Sequence, residues 1–481
     1  MNFAIVRYLI GWMLGIESIF LLLPALTAVI YGEAELPAYL TAAAISLAGA
    51  ALLCHRKPKN TRFYAREGYV TVALCWLVLA VIGALPFVLS REIPFFIDAL
   101  FETVSGFTTT GATILGDVEA LSHASMLWRC LTHWVGGMGV LVFMLIVLPL
   151  AGGQTIFLMR AESPGPAVSK MSPHMRDTAT ILYAIYFGLT VLQMILLLIG
   201  GMPLFDAICV SLGTAGTGGF GNWNDSIAHY NSAYLQNVIT VFMILFGINF
   251  SAYFLILTRK FRQAFRIEEI RVYLGVIFVF AGLIAFNVRP MFGSLRESFH
   301  HALFQVASII TTTGFSTVDF DRWPTFSRAL LVLLMFIGAC AGSTGGGIKC
   351  SRILLLGKSV KKEMMCLIHP RLVRVNKMDG QRVAHEVIRS INVFVVAYAG
   401  IFIVSLLIIA FSCEDLVTCF TSVATTLNNV GPGLSLCGPT CNFGFFPPVS
   451  KLVLIFDMLA GRLELFPMLL LFTPGTWQRN K

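Results

Sequence analysis

Charge is scarce in this sequence. Asp, Glu, Lys and Arg make up 12% of 481 residues, against 57% hydrophobic residues, about half the usual charged share of a soluble chain. No large polar domain remains once the apolar stretches are set aside, which excludes a soluble multidomain protein. Metal-ligand spacings are also missing: His123, His133, His300 and His301 fall in no H-E-x-x-H or comparable pattern, so they read as outer-face or interfacial side chains. No His, Cys or Ser stands at helical spacing from a base at membrane depth, so no enzyme is expected and no organic cofactor. Of eleven Cys, Cys75, Cys130, Cys209 and Cys340 lie singly on apolar stretches, where a thiol packs as a small hydrophobe. Cys437 and Cys441 share the Gly/Pro-rich stretch GLSLCGPTCNFG, and an oxidising compartment leaves a disulfide there open.

What is present is a succession of apolar runs long enough, at roughly 20 residues, to cross a bilayer. Spans are expected near 4–30, 36–54, 69–90, 127–150, 180–200, 234–258, 271–287, 328–357, 390–412 and 450–473. The first is not expected to be a cleaved signal, since a second hydrophobic span follows at once. With the N-terminus inside and alternating spans, the inner stretches hold 26 of the 34 Lys and Arg. They include Arg56, Lys57, Lys59, Arg62 and Arg66 in one loop, Arg259, Lys260, Arg262, Arg266 and Arg271 in another, and ten in 349–390. Reversing the orientation breaks the positive-inside rule. The net charge of +9 is therefore a topology signal, and no nucleic-acid partner is expected.

Four segments between spans are too short or too interrupted to cross alone: DALFETVSGFTTTGA (98–112), DAICVSLGTAGTGGF (206–220), HALFQVASIITTTGF (301–315) and TCFTSVATTLNNVGP (418–432). Aligned without gaps, each places a glycine fourteenth: Gly111, Gly219, Gly314 and Gly431, at intervals of 108, 95 and 117 residues. The expected fold is an all-α polytopic membrane protein. Four quasi-repeated helix–pore-loop–helix units surround one pore (68–178, 179–270, 271–389 and 390–481), behind an extra N-terminal helix pair, 1–67. Irregular backbone at membrane depth survives only where it is buried or lines an aqueous cavity, so the four turns are expected to face one another across an axis.

Extended turns of small residues suit alkali cations. Carbonyls of Thr109, Thr110 and Gly111, of Thr217, Gly218 and Gly219, of Thr312, Thr313 and Gly314, and of Asn429, Val430 and Gly431 can replace an ion's hydration shell. Each short helix ends at its turn, so the negative end of its dipole favours cations. The ring is degenerate, since the fourth turn offers Asn-Val for Thr-Thr; K⁺ preference over Na⁺ is expected to be moderate. The run GACAGSTGGGIK (338–349) interrupts a span with five glycines, each costing ~1 kcal/mol in a helix. An unwound loop over 338–348 beneath the turns is expected to gate the pore, with Gly338, Gly342, Ser343, Thr344, Gly345, Gly346, Gly347 and Lys349 as its working residues. GSTGGGIK looks like a phosphate-binding loop, but no strand precedes it. Arg462 lies in the last span, either facing the pore as an electrostatic barrier or paired with Asp457 or Glu464. Asp98, Asp117, Asp206, Asp225, Asp319, Asp321, Glu414 and Asp415 fall at or near the outer mouth.

FTTTGAT (107–113), GTGGF (216–220), ITTTGFSTVDF (310–320), LNNVGPGL (427–434), GACAGSTGGGIKCSR (338–352) and GRLELFP (461–467) resemble the Trk/Ktr/HKT superfamily, on its bacterial TrkH/TrkG branch. Six motifs in order span essentially the whole chain, and the N-terminal pair favours Trk over Ktr. The resemblance implies K⁺ uptake across a bacterial inner membrane, with both termini cytoplasmic, by a homodimer whose subunits each carry a pore. It implies that the loop around 341–347 is the gate and that Arg462 narrows the pore. It further implies a cytosolic nucleotide-binding partner, TrkA, for which the basic segment 358–389 suits as well as lipid does. The family is often described as coupled to H⁺ or Na⁺, as a symporter. The alternative is a secondary transporter of another cation or small solute; such proteins typically aim helix N-termini at anions within inverted repeats, whereas here same-direction repeats bring helix C-termini to the site.

Overall fold

The computed structural model describes residues 1–59, 64–139, 175–371 and 375–478. The end of the expected span 127–150, Arg62 of the basic loop, and 372–374 of the basic segment lie outside them. The described residues are mostly helical, with almost no strand. An N-terminal hairpin, α1 (Phe3–Tyr31) and α2 (Leu36–Cys54), precedes four similar sets of elements. The first is α3 (Ala65–Leu89), a short α4 (Phe96–Phe107) and α5 (His123–Met138). The second is α6 (Met175–Ile199), α7 (Leu204–Gly216), α8 (Ala233–Phe246) and α9 (Phe250–Leu257). The third is α10 (Glu268–Val288), α11 (Leu295–Ile310), α12 (Thr325–Ile337) and α13 (Cys350–Ile368). The fourth is α14 (His385–Ala410), α15 (Leu416–Leu427), α16 (Pro448–Arg462) and α17 (Phe466–Leu471). The strands described are β1 (Lys377–Met378) and β2 (Gln381–Arg382), an antiparallel pair pairing Lys377 with Arg382.

Six described helices are long and apolar enough to cross a membrane: α1, α2, α3, residues 180–199 of α6, α10 (continued to Met291) and α14. The expected span 234–258 is not a single helix. It is α8 and α9, bent by 93° at Gly247–Asn249. Asn249 caps α9 by accepting from Ser251 N at 2.8 Å, and Phe250 N donates to Gly342 O at 3.0 Å, so tertiary bonds replace the helical ones lost at the bend. The last span is likewise broken after Arg462, with Glu464 and Leu465 at positive φ (58° and 68°).

Local chemistry places the short helices. Ser294 caps α11 through Glu297 N at 3.2 Å. Asp415 caps α15 through Val417 N and Thr418 N at 3.1 and 3.0 Å, a favourable place for a carboxylate. The Thr418 hydroxyl, above all, holds the Asp415 carboxyl down at about 2. Its contribution to stability is therefore present above the ordinary Asp range and lost only as pH falls toward that value. Glu33, just beyond α1, accepts from His123 N and Ala124 N at 2.7 and 3.0 Å, tying the N-terminal hairpin to the start of α5. The largest apolar cluster joins α1, α3, α4 and α5 to α14–α16, and a second joins α10, α11 and α12.

Candidate ion pathway

Each of α4, α7, α11 and α15 ends in the same backbone turn. The twelfth residue of each aligned segment has positive φ: Thr109 55°, Thr217 56°, Thr312 59° and Asn429 56°. Its N–H donates three residues back, to Gly106, Thr214, Ile309 and Thr426 respectively (3.0–3.2 Å), and the thirteenth N–H donates five residues back, to Ser105, Gly213, Ser308 and Thr425 (2.8–2.9 Å). This is the Schellman closure of a helix, with Thr three times where Gly is usual. A β-branched residue at such φ is strained, and strain of this kind collects at functional sites. Since both amides bond back into the helix, carbonyls are left to face whatever lies ahead.

The turns close on one another. A Cβ built on Gly111 would meet Gly218 O, one on Gly219 would meet Thr313 O, one on Gly314 would meet Val430 O, and one on Gly431 would meet Thr110 O, all inside 3.0 Å. The contact runs from first to second to third to fourth and back to the first. The glycines, at φ of 80°, 80°, 86° and 100°, admit a backbone approach that a Cβ forbids. Cross-links brace the ring: Asn429 Nδ2 donates to Thr110 Oγ1 at 3.0 Å and to Met458 O at 2.9 Å. The expected placement of His133 is corrected here. It is fully buried, with Nδ1 2.9 Å from Gly106 O and Nε2 accepting from Phe220 N at 3.3 Å. It therefore buttresses the first two turns from behind.

On one side of the ring an open cavity of about 130 Å³ is lined by all four glycines together with Thr113, Asn224, Ser316, Cys437, Cys441 and Asn442. Cys437 and Cys441 are free thiols. Among the described residues no acid lines this cavity; most of the expected mouth acids brace loops and helix starts. Asp98 pairs with Lys451 at 2.6 Å, Asp319 with Arg322 at 3.0 Å and Asp321 with Arg328 at 3.4 Å. Asp206 accepts from Asn222, Trp223 and Tyr230 at 2.8, 3.2 and 2.6 Å. Asn224 donates to Asp117 at 2.7 Å and holds that carboxyl below its ordinary range. A pair that sequence reading missed, Glu102–Arg129 at 2.8 Å, is buried at the cavity wall, which Arg129 helps to line; Arg129 also lies over the Phe220 ring, 4.1 Å from its centroid.

On the other side lies the loop between α12 and α13, unwound as expected. Gly346 N donates to Thr312 Oγ1 at 2.6 Å, and Gly347 N to Asn428 O at 3.0 Å, so the loop is bonded directly to the third and fourth turns. Gly338, Gly342 and Lys349 take positive φ (70°, 70° and 82°). Ser343 Oγ donates to Cys340 O at 2.6 Å, and the buried Lys349 ammonium donates to Gly345 O. Glu269, absent from the sequence reading, anchors both ends of the loop, accepting from Ala341 N at 2.6 Å and Ser351 N at 3.0 Å.

Arg462 reaches across to this loop. Its Nη1 donates to Thr344 O at 2.8 Å, and its Nη2 to Gly136 O and Gly137 O at 2.5 and 3.1 Å. The carboxylates weighed as its partners are otherwise engaged: Glu464 pairs with Arg352 at 2.5 Å, and Asp457 accepts from Ser405 at 2.7 Å. The guanidinium fork thus spans the loop and the end of α5, a geometry that Lys cannot reproduce.

Short helices ending on a closed ring of carbonyl-bearing turns, among helices long and apolar enough to cross a membrane, define a membrane transport protein. The comparisons agree. The TrkH family, described as "Cation transport protein", matches residues 38–286 and 279–478, and the chain belongs to it. It is 38% identical over 485 residues to the Trk system potassium uptake protein TrkH of Salmonella typhimurium, covering 99% of this chain and 100% of that one. Against TrkG of Escherichia coli, also called a Trk system potassium uptake protein, identity is 33% over 479 residues, 98% of each chain. The crystal structure of the potassium transporter TrkH from Vibrio parahaemolyticus superposes with a TM-score of 0.89 at 33% identity, covering 99% of this chain and all of that one.

Proposed function

We propose that this chain mediates K⁺ uptake across a bacterial inner membrane, with both termini cytoplasmic, and that it is not an enzyme. The observation that carries the reading is the closed ring of four Schellman turns, supported by relatives named as potassium uptake proteins. The ring is the filter, and K⁺ is cargo that sheds water against the carbonyls of residues 109–111, 217–219, 312–314 and 429–431. The 338–349 loop is the gate beneath it, and Arg462 is both its clamp and a charge barrier. Two chains form a homodimer with a pore in each, and a cytosolic nucleotide-binding subunit docks on the basic inner face around 358–389.

Rubidium uptake into liposomes containing only this protein, with Na⁺ as competitor, tests the filter. Gly314→Ser sets a Cβ against Val430 O and forces a side chain into φ 86°, a conformation costing about 1–2 kcal/mol. K⁺ preference over Na⁺ is expected to fall about tenfold while folded yield falls less. Unchanged preference in a well-folded variant removes Gly314 from the filter.

A further inference from the structure

Glu17 lies midway along α1, outside the four repeats. It is 3% exposed, and among the described residues neither carboxyl oxygen has a hydrogen-bond partner. It lines a cleft walled by Ile16, Phe20, Leu79, Phe107, Trp128 and Val135. An ionised carboxylate without partners in such surroundings neutralises itself rather than persisting. A metal ion would need several oxygen ligands, and this cleft is otherwise apolar. The ligand that fits is a proton.

The packed elements carry no charge into the cleft among the described residues. From α2, Ser46 Oγ donates to Leu14 O at 2.8 Å and Tyr39 bonds Ser125 at 2.9 Å. On α3, Glu67 sits in the first turn beside Asn2 N and Arg66. Asp98 and Glu102 of α4 are paired with Lys451 and Arg129. On α5, His123 is paired with Glu33, Arg129 with Glu102, and His133 with Gly106 O.

Two walls of the cleft lead to the gate. Phe107 is the last residue of α4, and its carbonyl packs against Gly136 so closely that a Cβ there would overlap it. Val135 precedes Gly136, whose carbonyl, with that of Gly137, accepts from the Arg462 fork that holds Thr344 O. We propose that Glu17 is a regulatory proton site. As the neutral acid it seats α1 against α4 and α5 and keeps the Arg462 clamp closed. Its ionisation at alkaline pH draws water into the cleft, shifts the end of α5 and loosens the loop. The proton here is a regulator away from the ring, not cargo; the coupling rests on reading the 338–349 loop as the gate.

The test has two readouts. Infrared spectra of protein labelled with ¹³C-glutamate should show a protonated carboxyl band at neutral pH that Glu17→Gln lacks. No such band in the wild type, or an unchanged one in the variant, overturns the proton site. This readout needs no transport, so it survives failure of the K⁺ reading, and the wild-type spectrum decides even where the variant folds poorly. Rubidium uptake by the wild type should rise about fivefold from mildly acidic to mildly alkaline pH, while Glu17→Gln stays at the acidic level. If the band is present but the variant keeps the wild-type pH profile, the coupling to the gate is overturned.

Discussion

Deleting Gly345 to Gly347 is expected to raise rubidium flux on the order of tenfold or more without any nucleotide-binding partner. These residues supply Gly346 N to Thr312 Oγ1 and Gly347 N to Asn428 O, the bonds that hold the loop against the turns. The deletion also takes away Gly345 O, the acceptor of the Lys349 ammonium. Each hydrogen bond contributes about 0.5–1.5 kcal/mol, more where a charge takes part, so losing three shifts the closed state by at least one factor of ten. The anchors at Glu269 remain and keep the shortened loop attached. Uptake per folded protein measures the effect; flux at the level of empty liposomes from a folded variant would show that the principal barrier lies elsewhere.

Arg462→Ala is expected to raise flux by a comparable factor, with looser selectivity. The substitution removes two obstacles at once. A fixed positive charge repels K⁺ by roughly 4 kcal/mol at 4 Å and an effective dielectric near 20, before water screens it. The guanidinium also ties Thr344 O to Gly136 O and Gly137 O. Gln should behave much like Ala. Lys should fall between them and the wild type, because it keeps the charge but not the two-sided fork. Were Arg462 only a structural pin, Ala and Gln would both lose thermal stability and per-molecule flux would fall. Rubidium uptake normalised to folded protein, read beside a melting curve for Ala, Gln and Lys, separates these outcomes.

The ring was legible because glycine marks the positions where backbones meet: four glycines in register also mark the four contacts that close it. The turn geometry just before them was not legible. Thr109, Thr217 and Thr312 adopt positive φ, and nothing about threonine announces it; only Asn429 belongs to a type that tolerates such a turn. The unwound loop was readable from its five glycines, whereas the 93° bend between α8 and α9 hangs on Gly247 and Asn249 within one apolar run. Its cause lies in Gly342, which accepts from Phe250 N, and no local pattern carries that. Charges in or beside spans carry a signal that the sequence reading takes up only at Arg462. Glu17, Glu102 and Arg129 stand in apolar helices, and such residues merit a functional reading by default. Long-range pairs are another matter: Arg352 and Glu464 are 112 residues apart, and Glu269 and Ala341 are 72 apart, so only the fold joins them. The mouth acids were placed by topology alone; what sequence could not give is that the fold engages most of them in bracing loops and helix starts.

The central claim is that four turns form one cation site, and anomalous scattering tests it most directly. Crystals grown with thallium in place of K⁺ should show an anomalous peak on the axis enclosed by Thr110, Gly218, Thr313 and Val430, the residues whose carbonyls close the ring. The peak should weaken as K⁺ is added back and persist when Na⁺ is added instead. An ordered ring with no thallium peak, while thallium binds elsewhere in the protein, would contradict the account.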